Sequence, residues 1–170
     1  MAVFKPTYYK HHLTDLTVPD LKQMGIHTLL LDVDNTLSTH HNPTPDEGIP
    51  AFLQQMKQAG IGLIIVSNSR RARVEPFAQS LGLDFFYLCK KPLPFRLNKA
   101  IKQMGADKKG MLMCGDQIFT DMPAGNLCGV KTLLLDPIEE EAGWTFRLRR
   151  CLERPMRRRY QSHHLKEKSQ

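Results

Sequence analysis

The sequence predicts a three-layer α/β domain built on a mainly parallel, five-stranded sheet, followed by a basic C-terminal segment. Three observations predict it. Short apolar runs without polar alternation recur along the chain, as expected of strands covered on both faces. Amphipathic stretches of about 10–15 residues separate them, the spacing of βαβ units. Glycine follows four of those stretches, as Gly60, Gly82, Gly105 and Gly129, where a helix C-terminus favours it.

In chain order, Phe4, Tyr8 and Tyr9 come first and are expected to pack the N-terminal segment onto the domain. The strands are predicted over residues 27–32 (HTLLLD), 62–67 (GLIIVS), 85–89 (FFYLC), 110–114 (GMLMC) and 131–135 (KTLLL). Helices are predicted over residues 49–59, with Pro50 in the tolerated first turn, and over 70–81, 93–104 and 121–127. Pro76, Pro94 and Pro123 lie in or near the starts of the later helices and soften those boundaries.

Composition bounds the class. A chain of 170 residues with 41% hydrophobic and 24% charged residues is globular, which excludes a disordered chain or a disulfide mini-protein. No apolar run approaches the roughly 20 residues of a membrane span. The opening MAVFKPTYYKHH lacks the apolar core and cleavage site of a secretory signal, so a cytoplasmic protein is expected. Cys89, Cys114, Cys128 and Cys151 form no CxxC pair and are expected to be buried, reduced thiols.

Charge divides the chain in two. Residues 1–143 carry fifteen basic and fifteen acidic side chains, whereas residues 144–170 carry nine Lys/Arg against Glu153 and Glu167, the whole net charge of +7. Residues 1–143 are therefore read as one folded domain and 144–170 as a separate basic segment.

In a parallel α/β sheet, ligands bind beyond the carboxyl ends of the strands. Polar clusters stand at four consecutive predicted strand ends: Asp32 and Asp34, then Ser67-Asn68-Ser69, then Lys90-Lys91-Pro92, then Asp116 with Asp121 five residues on. Each residue alone has an ordinary reading: a turn or cap aspartate, an N-cap serine, a solvated lysine. Together they make a constellation. Asp32 and Asp34, two apart in extended chain, point the same way and repel unless a cation holds them. With Asp116 they form an oxygen-rich site suited to Mg²⁺. A hydroxyl from Ser67 and an ammonium from Lys91 complete what a transferring phosphoryl group needs.

LLLDVDNTL, IIVSNS, KKP and GDQIFTD resemble, in order, motifs I to IV of the haloacid dehalogenase (HAD) superfamily. The resemblance runs from about Lys5 to Arg159, and is strongest to the subfamily IIIA phosphatases of the YqeG type, related to mitochondrial phosphatidylglycerophosphate phosphatases. It implies a Rossmann-like fold and a phosphate-monoester hydrolase. It further implies that Asp32 attacks phosphorus, forming an aspartyl-phosphate, and that Asp34 serves as general acid and base. Ser67, Asn68 and Lys91 would hold the phosphoryl oxygens. Mg²⁺ would be held by Asp32, the Asp34 backbone carbonyl and Asp116, with Asp121 in support. Lys90 competes for the lysine role, but the lysine directly before Pro92 fits the pattern better.

The 30 residues between motifs I and II, and the 23 between Ser67 and Lys91, each hold one helix and one strand. Neither gap has room for a cap domain, the lid that encloses small substrates. By resemblance, an uncapped member of this family acts on a macromolecule or a bulky headgroup, such as a lipid's, or closes its site by oligomerising. The competing readings are a nucleotide, a sugar phosphate, an RNA end, or a non-catalytic RNA- or ribosome-binding module. His40 and His41, in the stretch HHNPTPDEG, are expected to face solvent, as are His11-His12 and His163-His164.

Trp144, Leu148, Leu152, Met156 and Tyr160 recur every four residues among arginines, an amphipathic basic helix that Pro155 is expected to kink or break. Three readings stand: Arg147 to Arg159 rest on an anionic membrane, they neutralise nucleic acid, or the stripe packs on the domain and the arginines are solvated.

Overall fold

The computed structural model describes residues 2–40, 42–105, 107–139 and 144–167. It divides into two units, Met1–Ile138 and Glu139–Gln170. The first unit contains β1 (Tyr8–Lys10), α1 (Val18–Met24), β2 (Thr28–Leu31), α2 (Ile49–Gln58), β3 (Gly62–Val66), α3 (Arg71–Leu81), β4 (Asp84–Phe86), α4 (Pro94–Met104), β5 (Met111–Gly115), α5 (Asp121–Cys128) and β6 (Lys131–Leu135). The second contains α6 (Trp144–Glu167).

The strands form one six-stranded sheet in the order β1-β6-β5-β2-β3-β4, with every pairing parallel. Its middle strands are apolar on both faces, and successive residues feed opposite cores. Leu29 and Leu31 of β2 join Leu112 and Cys114 of β5 in a core with Leu21 of α1, Met56 of α2 and Phe77 of α3. Leu30, Met111 and Met113 face the other way, onto Leu97 and Ile101 of α4 and Ala124 and Cys128 of α5. Burial on both sides is why these runs show no alternation in sequence.

The sheet has six strands, not five. The extra strand is β1, a three-residue edge strand paired with β6 through the register Tyr8↔Leu133 to Lys10↔Leu135. A run as short as YYK carries no strand pattern of its own. It is set in place from outside: Thr7 N–H bonds Thr132 O at 3.0 Å, and the Tyr9 hydroxyl bonds Asp136 at 2.6 Å. Phe4 closes the same segment edge-on against Phe119, with centroids 5.6 Å apart. The strand expected over 85–89 is β4, ending at Phe86.

Helix α1 has a start and a stop in its sequence. The Thr17 hydroxyl accepts from Asp20 N–H at 3.2 Å, Asp20 accepts from Thr17 N–H at 3.1 Å, and Gly25 ends the helix in the left-handed region at φ 66°. Helix α6 runs through Pro155 rather than breaking there. Ion pairs stitch the two sides of the proline: Glu153 accepts from Arg150 at 3.0 Å and lies 3.6 Å from Arg157, one turn on. No helix among the described residues is long and apolar enough to cross a membrane.

From β2 the chain steps outward through β3 to β4, and then returns to the other side of β2 as β5. The sheet's switch point therefore lies between β2 and β5, and sheets of this kind bind ligands beyond the carboxyl ends of the strands that flank it.

Candidate active site

The register of the sheet assembles the site. Leu31 pairs with Cys114, and the ladder runs one residue further as Asp32 N–H donates to Cys114 O at 3.0 Å. Asp32 thus leaves β2 beside the end of β5, from which Asp116 follows. Asp121 opens α5 and is turned back toward the strand ends by its Oδ2, which accepts the Gln117 N–H at 3.0 Å. Oxygens of Asp32, Asp116 and Asp121 lie within 4.8 Å of one another, and all three residues are buried.

Lys91 enters from the loop after β4. Its Nζ lies 2.7 Å from Asp32 Oδ1 and 2.7 Å from Asp121 Oδ1, with the side chain fully enclosed. The Asn68 side chain fixes it there: Oδ1 accepts the Lys91 N–H at 2.7 Å and Nδ2 donates to the Lys91 carbonyl at 2.9 Å. Ser67, at the end of β3, is buried, and its hydroxyl accepts from Ser69 N–H at 3.1 Å.

Two carboxylates competing for one buried ammonium cannot both be fully compensated. Burial pushes the Asp32 carboxyl up to about 7 against the pull of Lys91, with Asp121 and Asp34 adding to the rise. Burial works against the Lys91 ammonium as well, but Asp121 and Asp32 outweigh it and hold it above its ordinary value. Three buried carboxyl groups cluster where a single ammonium pairs with two of them, an excess of acidic oxygens that fits a divalent cation.

Asp34 has a different set of neighbours. Its Oδ2 accepts from the Ser69 hydroxyl at 2.9 Å, its Oδ1 accepts from Arg73 of α3 at 3.2 Å, and His40 Nδ1 stands 3.8 Å away. Arg73 is backed by the Phe77 ring, 5.3 Å from its guanidinium carbon. His40 is therefore not the solvent-facing loop residue its sequence context predicts: the loop after β2 folds back through Asn35 N–H on Ser38 O at 2.7 Å and carries it to Asp34. His41 lies outside the described residues. Ser69 was within reach of sequence reasoning, since it stands two residues after Ser67 at the same strand end. Arg73 was not, because one arginine in the run RRAR carries no sign of which one turns inward.

Gly115 is what lets Asp121 lie across the end of β5. A Cβ at position 115 would sit 2.8 Å from Asp121 Cβ, with the carboxyl group closer still. Gly115→Ala is accordingly expected to displace Asp121 by about 1 Å and to cost roughly 100-fold in turnover, with weaker metal binding and an intact fold. Steady-state kinetics beside a metal titration will check it.

The model of the haloacid dehalogenase-like hydrolases matches residues 5–129. The probable phosphatase YqeG of Bacillus subtilis (strain 168) is 32% identical over 151 residues, covering 89% of this chain and 88% of that protein. Solved structures share the fold, and two illustrate it. One is an uncharacterized protein from Listeria monocytogenes serotype 4b, with TM-score 0.58, 16% identity, and 70% of this chain and 85% of that one covered. The other is the cobalt-bound deoxy-D-mannose-octulosonate 8-phosphate phosphatase from Haemophilus influenzae, with TM-score 0.53, 17% identity, and coverage of 67% and 70%. The family match takes in every strand end that supplies the buried carboxylates, Ser67 and Lys91, and this chain belongs to the haloacid dehalogenase-like hydrolases.

Proposed function

We propose that this HAD-type phosphatase hydrolyses a phosphate monoester with Mg²⁺ through an aspartyl-phosphate, and that its substrate carries the phosphate on a lipid headgroup of the phosphatidylglycerophosphate kind. The observation that carries the chemistry is the buried group of Asp32, Asp116 and Asp121 around Lys91.

Asp32, Asp116 and Asp121 are the side chains that would hold Mg²⁺, with the Asp34 carbonyl. Bound there, the ion would neutralise phosphoryl oxygens and the charge that develops on them. A carboxylate oxygen of Asp32 attacks phosphorus, the bond to the leaving oxygen breaks, and Asp34 delivers a proton to that oxygen. Asp34 then takes a proton from water as the water oxygen attacks the aspartyl-phosphate. The phosphorus–Asp32 bond breaks, inorganic phosphate leaves and the Asp32 carboxylate returns. Ser67 and Lys91 hold the non-transferring oxygens. Asn68 acts through Lys91, whose backbone its side chain pins. Ser69 and Arg73 aim Asp34.

The lipid reading is supported by α6 taken by itself. Trp144, Leu148 and Leu152 are 77%, 55% and 58% exposed, an apolar stripe at four-residue spacing on a helix that also carries Arg154, Arg158 and Arg159 facing water. Within the run Arg147 to Arg159, the exposed Arg154, Arg158 and Arg159 are the proposed contact with an anionic membrane.

Phosphate release from p-nitrophenyl phosphate and from phosphatidylglycerophosphate, with and without Mg²⁺, tests both parts. Metal-dependent release with a large preference for the lipid is expected. Release independent of metal would overturn the mechanism, and a preference for soluble esters would overturn the substrate. The pH dependence of metal binding follows from Asp32. Its carboxyl sits near 7 and must lose its proton to act as a ligand, so protons compete below that value. Mg²⁺ affinity should rise by up to about tenfold per pH unit toward 7 and level off above it, as read by calorimetric titration across pH 5.5–8.5.

A further inference from the structure

The loop that carries Lys91 turns that side chain inward and its apolar neighbours outward. Lys91 is buried on Asp32 and Asp121, whereas Tyr87, Leu88, Leu93 and Phe95 are exposed, Phe95 at 76%. The exposure is built into a pinned backbone. Leu88 N–H donates to Ser69 O at 3.0 Å, Arg96 donates to Leu88 O at 2.9 Å, and Cys89 N–H donates to Ser67 O at 3.0 Å. Four of the eight exposed large apolar side chains among the described residues stand within residues 87–95, in the loop and the first turn of α4, which makes them a patch rather than scattered surface residues.

Within the loop and α4 the charge has one sign; beside Tyr87, Glu75 is taken up by Arg71. Residues 85–106 contain no Asp or Glu and five Lys/Arg, and apart from Lys91 these (Lys90, Arg96, Lys99 and Lys102) are all exposed. The even balance over residues 1–143 conceals this. Apolar side chains ringed by cations complement an anionic phospholipid surface, where the cations meet headgroup phosphates and the apolar groups enter the acyl boundary. A second copy of the chain fits poorly, because a two-fold contact would set these cations against the same cations.

We infer that residues 87–96 and the cationic face of α4 form a docking surface for an anionic phospholipid bilayer, which seats the mouth of the active site at headgroup level. The surface deepens the lipid-headgroup reading and rests on it for its purpose, while the docking itself stands on the patch and its charge. It is made of other residues than α6, and substitutions in each tell the two apart.

The test is vesicle flotation of the full-length protein with phosphatidylcholine vesicles, with and without phosphatidylglycerol. Wild type is set beside the loop variants Leu93→Ser/Phe95→Ser and, on the α4 face that adjoins the loop, Lys99→Gln/Lys102→Gln; Trp144→Ser/Leu148→Ser serves for α6. Binding is expected only with phosphatidylglycerol, weakened about tenfold or more in each loop variant. Hydrolysis of p-nitrophenyl phosphate should be unchanged in both, since neither pair belongs to the site. No flotation of wild type would overturn the surface. So would full binding in the loop variants with loss confined to the α6 variant, or a dimer in sedimentation that the Leu93→Ser/Phe95→Ser change dissolves. Flotation without phosphate release from any ester would sink the catalytic reading and leave the surface standing, while release without flotation would do the reverse.

Discussion

Asp32→Asn is expected to lower phosphate release by about 10⁴-fold or more, the scale on which removal of a covalent nucleophile acts. The amide matches the carboxylate in volume and keeps an oxygen toward Lys91, which stands 2.7 Å from Asp32 Oδ1 in the wild type, so the fold should persist. The change removes the carboxylate that follows β2, one of the two in the metal-ligand cluster that contact the ammonium, and leaves Asp121 in place. Acid-quenched reactions should contain protein-bound phosphate in wild type and none in the variant. Turnover within tenfold of wild type would show that water attacks directly and that Asp32 serves only as a ligand.

Lys91→Met combines a loss of activity with a loss of stability. It leaves Asp32 and Asp121 buried without the ammonium that compensates them, and breaking a buried pair in this way costs about 3–5 kcal/mol. The sign with pH is definite. The folded-state value of Lys91 is raised above its ordinary 10.5, so its contribution is complete at neutral pH and is lost only as the pH climbs past that range. Metal-free protein should therefore unfold at markedly lower urea at pH 7, and Mg²⁺ should restore part of the difference by taking over the uncompensated carboxylates. Phosphate release should stay depressed even at saturating Mg²⁺, because an ion cannot replace a donor aimed at the phosphoryl oxygens. Unfolding curves for metal-free wild type and variant that coincide would show the ion pair to be dispensable for stability.

The strand ends were legible because topology does the gathering. A parallel α/β sheet places every strand's carboxyl end on one edge, so residues 32, 67 and 116 had to meet whatever the helices did. Lys91 was legible from its pattern before Pro92. The aim of Asp34 was not, since it depends on a loop fold and a helix rotation that bring Ser69, Arg73 and His40 to one carboxylate. Strand β1 was missed for a related reason: three residues have no periodicity, and only β6 gives them a partner. Helix α1 could have been read, since Thr17, Asp20 and Gly25 carry its capping chemistry. The cationic stretch at 85–106 was visible but was averaged away over residues 1–143.

The thiols have a use outside catalysis. Cys89, Cys114 and Cys128 are buried and free, while Cys151 on α6 is exposed. Burial pushes the Cys128 thiol up to about 11 and raises Cys89 and Cys114 also, which suppresses the reactive thiolate in the folded chain. One thiol is therefore open to alkylation in the native state, and three more become so only when the sheet comes apart. The chain carries a single-site attachment point on α6 and, in the same residue type, a chemical clock for opening of the domain.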